Sequence, residues 1–152
     1  MSGAPDLLDF SGKAVLVTGG GAGIGRACAE AFAARGARVF IAEIDAERCA
    51  GFTAGTAIQC DVTRREDVAR CAEQIAEQTG GRLDVLVNTV GHFVPALPFA
   101  MLSGDQADEI LDVNLGQLLR MTSAMLPLLR AAAPGSSIIN VTSIEAYRGI
   151  PY

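Results

Sequence analysis

Short apolar runs alternate with stretches of helical periodicity along the chain. Residues 13–18 (KAVLVT) are almost continuously apolar, rich in β-branched side chains and followed by glycines. That is the pattern of a strand buried on both faces. Residues 38–43 (RVFIAE), 57–60, 83–88 (LDVLVN) and 137–142 (SIINVT) read in the same way. Between the first two runs, 23–35 places Ala27, Ala31 and Ala34 at helical spacing, with Gly36 as the stop. A brief helical turn is read over 45–49 and a loop over 51–56. Thr63 with Glu66, and Ser103 with Gln106, have capping-box spacing. They predict a helix over 64–79 and a long one running through Asn114 to about residue 132, bent near Pro127. The strict β-α alternation predicts an α/β fold: a Rossmann-type, doubly wound parallel sheet of five strands, one domain over 1–152.

The turn after the first strand reads Thr18-Gly19-Gly20-Gly21-Ala22-Gly23-Ile24-Gly25. Glycines between a strand and a helix allow a tight turn, a close backbone approach to a pyrophosphate and close helix–strand packing. The exposed N–H groups and the positive end of the helix dipole then suit a diphosphate. No Gly-Lys-Ser/Thr follows, which excludes a P-loop, and Thr18 stands where a methyltransferase loop would carry an acid. Glu43 closes the second strand 18 residues past Gly25, where such folds place an acid for the adenosine ribose hydroxyls. A carboxylate there repels a 2′-phosphate, and Ala22 supplies no compensating cation, so NAD is favoured over NADP. The alternatives are a solvated strand end for Glu43, or Asp45 as the acid if the strand is shifted.

Composition narrows the class further. Of the 152 residues, 50% are hydrophobic and 19% charged, which indicates a globular chain. The net charge of -5, with both signs interspersed, argues against a nucleic-acid partner. Residues 1–10 lack the basic start and apolar core of a signal peptide, and no apolar run reaches membrane-spanning length. A cytoplasmic protein without a membrane partner is expected. Cys28, Cys49, Cys60 and Cys71 form no C-x-x-C pair, and the single His92 completes no common zinc set, so no metal is expected. Cys28 is read as a buried thiol on an apolar helix face.

From about Asp9 onward the chain resembles the short-chain dehydrogenase/reductase family. The glycine turn matches at Thr18, Gly19, Gly23 and Gly25, with Gly21, Ala22 and Ile24 between them. Cys60-Asp61-Val62-Thr63 looks like the family's Asp-Val segment, which implies contact of Asp61 and Val62 with the adenine. Asn88-Thr89-Val90-Gly91 stands where the family has Asn-Asn-Ala-Gly, on the nicotinamide side. Asn114 matches the helix asparagine of the catalytic tetrad, implying a role in holding a relay water. Ile139-Asn140-Val141-Thr142-Ser143 matches the strand that delivers the catalytic serine, Ser143, with Val141 beside the cofactor. The resemblance implies hydride transfer between NAD and a small-molecule secondary alcohol or ketone. It also implies a homo-oligomer, a dimer or tetramer.

Two departures stand out. Thr89 and Val90 replace the family's second asparagine and alanine, which predicts altered packing rather than loss of binding. The family's Tyr-x-x-x-Lys motif is not matched. Tyr147 follows Ser143 by four residues, Tyr152 by nine, and the only lysine is Lys13, at the wrong end of the first strand. The chain is therefore expected to be part of a longer protein, with its fifth strand left as an apolar edge. A nucleotide-binding module without turnover, a pseudoenzyme or regulatory subunit, is the alternative. His92, Phe93, Pro95, Leu97 and Phe99 suggest an apolar substrate wall, with His92 itself read as a lining or surface residue.

Overall fold

A computed structural model of the protein describes residues 7–92, 98–144 and 148. Five strands form one parallel sheet: β1 (Ala14–Thr18), β2 (Arg38–Glu43), β3 (Thr56–Gln59), β4 (Val85–Asn88) and β5 (Ser137–Asn140). Their spatial order is β3-β2-β1-β4-β5, with helices α1 (Gly23–Ala33), α2 (Ala46–Ala50), α3 (Arg65–Thr79), α4 (Gly104–Leu111) and α5 (Gln117–Ala131). The order reverses direction between β1 and β4, which opens a crevice at the carboxyl ends of those strands.

The alternation of side chains along β1 sorts the core into two layers. Ala14 and Leu16 face a cluster that takes Val68, Cys71 and Ile75 from α3 and Met121, Met125 and Leu129 from α5. Val15 and Val17 face the other, with Ala29 of α1, Phe52 and the partly buried Phe32. Burial on both faces is why these strands are apolar throughout.

Several expectations shift. The stripe that α1 buries is Gly25 and Ala29, with Phe32 and Ala33 partly covered; Ala27, Ala31 and Ala34 are exposed. Cys28 is half-buried rather than buried, and all four cysteines are free thiols. Thr63 does not cap α3, because its N–H (2.9 Å) and hydroxyl (2.7 Å) both donate to Asp61 Oδ1, and the helix starts at Arg65. Ser103 and Gln106 do form the capping box, on α4. The long helix departs from α geometry not at Pro127, which sits inside α5, but in a π turn at Asp112–Gly116.

At the foot of the sheet Lys13 Nζ and Arg82 each pair with the buried Asp84 carboxylate at 3.1 Å. Lys13 thus stands at the end opposite the crevice. Among the described residues β5 pairs only with β4, and it is exposed along its length, including Ile138 and Ile139. Among the described residues no helix is long and apolar enough to cross a membrane.

Candidate functional site

The carboxyl ends of β1, β2, β3 and β4 enclose a cleft of about 550 Å³. Of the residues singled out in the sequence, Gly19, Ala22 and Gly23 line it from the turn, and Glu43 from the end of β2. Asp61 and Val62 line it after β3, Val90 and Gly91 after β4. Four segments distant in sequence therefore converge on one crevice. Thr18, Gly21, Ile24, Gly25, Asn88, Asn114, Val141 and Ser143 are not among its lining residues.

Most of that second group shape the cleft from behind. Gly21 donates its N–H to Glu43 Oε2 at 3.0 Å, while Glu43 Oε1 accepts from Asp45 N at 3.1 Å. Glu43 is only 4% exposed, so it is not a solvated strand end. Asp45 does different work, capping α2 by accepting from Glu47 N (2.8 Å) and Arg48 N (3.1 Å). A Cβ at Gly21 would come within 2.6 Å of Glu43 Oε2. One at Gly25 would collide with the Gly19 carbonyl oxygen and reach 2.7 Å from Thr89 Oγ1. Only glycine fits either place.

Thr18 and Thr89 join β1 to β4: Thr89 N donates to Thr18 Oγ1 at 3.1 Å, and the Thr89 hydroxyl to the Thr18 carbonyl. The departure at Thr89 therefore packs against the glycine turn. Asn88 Nδ2 donates to Asn140 Oδ1 at 2.9 Å, and Val141 N to the Asn88 carbonyl at 2.9 Å, continuing the ladder past β5. Ile24 is exposed on the first turn of α1. Ser143 is exposed, three residues beyond the carboxyl end of β5.

Asn114 lies in the π turn and binds backbone. Its Oδ1 accepts from His92 N at 3.1 Å, and its Nδ2 donates to the carbonyls of His92 (3.1 Å) and Ile110 (2.9 Å). His92 itself lines the cleft and is exposed. Phe93, Pro95, Leu97, Tyr147 and Tyr152 lie outside the described residues, as does the side chain of Phe99.

Sequence reading missed Arg48, Glu109 and Val113, which also line the cleft. Arg48 lies 3.9 Å from Glu43 and 3.5 Å from Asp45. Its place three residues after the cap at Asp45 was the available signal. Glu109 and Val113 are brought in by α4 and the π turn; the capping box at Ser103 and Gln106 marks where that helix starts, not which of its residues reach the cleft.

Residues 13–152 match the profile of the family described as short chain dehydrogenase. The chain is 34% identical over 151 residues to a 2,5-dichloro-2,5-cyclohexadiene-1,4-diol dehydrogenase of Sphingobium indicum, covering 95% of this chain and 60% of that protein. It is 35% identical to a sorbitol dehydrogenase of Cereibacter sphaeroides, covering 92% of this chain and 56% of that one. Among solved structures, a putative short-chain alcohol dehydrogenase of Sinorhizobium meliloti superposes with a TM-score of 0.85 at 32% identity, covering 96% of this chain and 60% of the other. The chain thus spans somewhat over half the length of these relatives. With the profile matched over nearly all of its residues, and the crevice formed where that fold places it, the chain belongs to the short-chain dehydrogenase family of oxidoreductases.

Proposed function

We propose that the protein binds NAD in the cleft and serves hydride transfer between it and a secondary alcohol or ketone. The observation that carries this reading is Glu43, buried at the cleft wall and bonded to the glycine turn at Gly21. A bound nicotinamide would supply the hydride acceptor or donor. The chain's own residues would hold it: the glycine turn and the N-terminus of α1 at the diphosphate, Glu43 at the adenosine ribose, Asp61 and Val62 at the adenine. Thr89, Val90 and Gly91 would flank the other half.

Arg48 is the one cation lining the cleft among the described residues, and it is paired with two carboxylates, Glu43 and Asp45. Their combined charge remains negative, which disfavours a 2′-phosphate. Ser143 would hydrogen-bond the substrate oxygen and stabilise its developing charge, and Asn114 would steady the loop beside it. Sugar-alcohol and diol dehydrogenases among the relatives fit a hydroxylated or cyclic small-molecule substrate.

Calorimetric titration of the purified protein tests this. NAD should bind at least tenfold tighter than NADP, and Glu43→Gln should narrow that gap. Equal affinities, or tighter NADP, would overturn the assignment.

A further inference from the structure

Three side chains follow one another at three-residue intervals across the π turn and the start of α5: Asn114, Gln117 and Arg120. Each holds the backbone of a loop that lines the cleft. Asn114 grips His92 on both its N–H and its carbonyl. Gln117 Nε2 donates to the Val90 carbonyl at 3.0 Å. Arg120 Nε donates to the Val62 carbonyl at 3.3 Å, while its Nη1 binds Asp112 Oδ1 at 2.7 Å. Three residues of α-helix fall about 60° short of a full turn. Gln117 therefore meets the loop after β4, while Arg120 reaches round to the loop after β3.

A packing role alone explains these residues poorly. Gln117 is 1% exposed and its Oε1 is buried without a hydrogen-bond partner among the described residues, a destabilising arrangement that an apolar side chain would avoid. Arg120 is 14% exposed and places its guanidinium between a carboxylate and a loop carbonyl. The contact that both share is with cleft backbone.

We propose that Gln117 and Arg120 are positioning residues that fix the separation of the two loops flanking the nucleotide cleft, Gln117 from the β4 side and Arg120 from the β3 side. The proposal rests on the reading of the cleft as a nucleotide site with its adenine end at Asp61 and Val62. It makes one helix edge the common support of both halves of the site.

The test compares Gln117→Leu, Arg120→Met and Arg120→Lys in the purified protein by AMP and NAD titration and by amide hydrogen exchange. Arg120→Met should weaken AMP and NAD alike by about three- to tenfold, the scale of one lost hydrogen bond. Arg120→Lys, which keeps a donor, should recover part of that loss. Gln117→Leu should weaken NAD by a similar factor and leave AMP unchanged. Exchange should quicken over 60–64 in Arg120→Met and over 89–92 in Gln117→Leu. Wild-type affinities in folded variants would overturn the proposal, as would exchange that quickens evenly across the chain. Should Arg120→Met fail to fold, Arg120→Lys and Gln117→Leu still decide it. If the wild-type protein binds neither nucleotide, the functional reading fails, and the local or even pattern of exchange alone decides whether the pair positions the loops.

Discussion

Glu43 accepts the N–H of Gly21 at 3.0 Å, so the last side chain of β2 ties down the glycine turn. Replacing it with alanine removes the acceptor of two backbone N–H groups, those of Gly21 and Asp45. Glu43→Ala should cost about 1–3 kcal/mol of stability, the scale of buried donors left unpaired. Urea denaturation measures that loss. NAD titration of the folded variant should show weaker binding as well.

Gly25→Ala separates shape from charge at the same turn. The added methyl meets the Gly19 carbonyl and Thr89 Oγ1, so the turn must open where α1 starts. A loss of nucleotide affinity of about tenfold or more is expected, with overpacking costing about 1–3 kcal/mol of stability. Titration beside thermal denaturation checks both. Unchanged affinity would show that the turn does not hold the ligand.

Acid stability should depend on Asp84. Burial pushes its carboxyl up, but the N–H of Ala14 and the side chains of Lys13 and Arg82 outweigh that and hold it below the ordinary carboxylate value. Arg120 acts likewise on Asp112, lowering it against a smaller effect of burial. For a depressed carboxylate the unfolded state binds more protons in the acid range. The stabilisation is therefore present above the unfolded value, about 3.9, and is lost as pH falls through the folded one. Asp84→Asn should lower stability at neutral pH by about 1–3 kcal/mol. Its deficit against wild type should shrink below about pH 4, measured as urea midpoints across pH.

Ser143→Ala probes the proposed chemistry at an exposed side chain beyond β5. The reading predicts a fall in kcat of about 10²- to 10³-fold, as for loss of a donor to a developing oxyanion. NAD affinity and the unfolding midpoint should hold. A kcat within twofold of wild type would remove Ser143 from the reaction.

Strands β1, β2 and β4 were legible because burial on both faces leaves an unbroken apolar run, and the glycine turn because its glycines sit between a strand and a helix. β4 nonetheless starts at Val85, since Leu83 N bonds the Leu128 carbonyl of α5 instead of a neighbouring strand. The inward face of α1 was misread because small residues crowd positions 27–34 and give little contrast between its sides. Thr63 was misread because Asp61, two residues away, competes for the same hydroxyl. Arg48, Gln117 and Arg120 were missed for a different reason. Arg48 reaches the cleft through a short helix that periodicity barely marks. The other two act on carbonyls 27 and 58 residues away, which no local pattern encodes.

The strand order also sets a timetable. β1 precedes the other four strands in the chain yet lies at the centre of their sheet, and Ala14 must wait for Asp84, 70 residues later, to complete one flank. β2 and β3 follow β1 directly in the chain, so the half-sheet β3-β2-β1 can assemble while β4 is still being made. Closing the longer loop adds little entropy cost but delays the non-local pairing. The crevice between β1 and β4 is thus the last part of the glycine turn's surroundings to exist. A nascent chain should gain affinity for nucleotide abruptly, when β4 docks, rather than in proportion to its length.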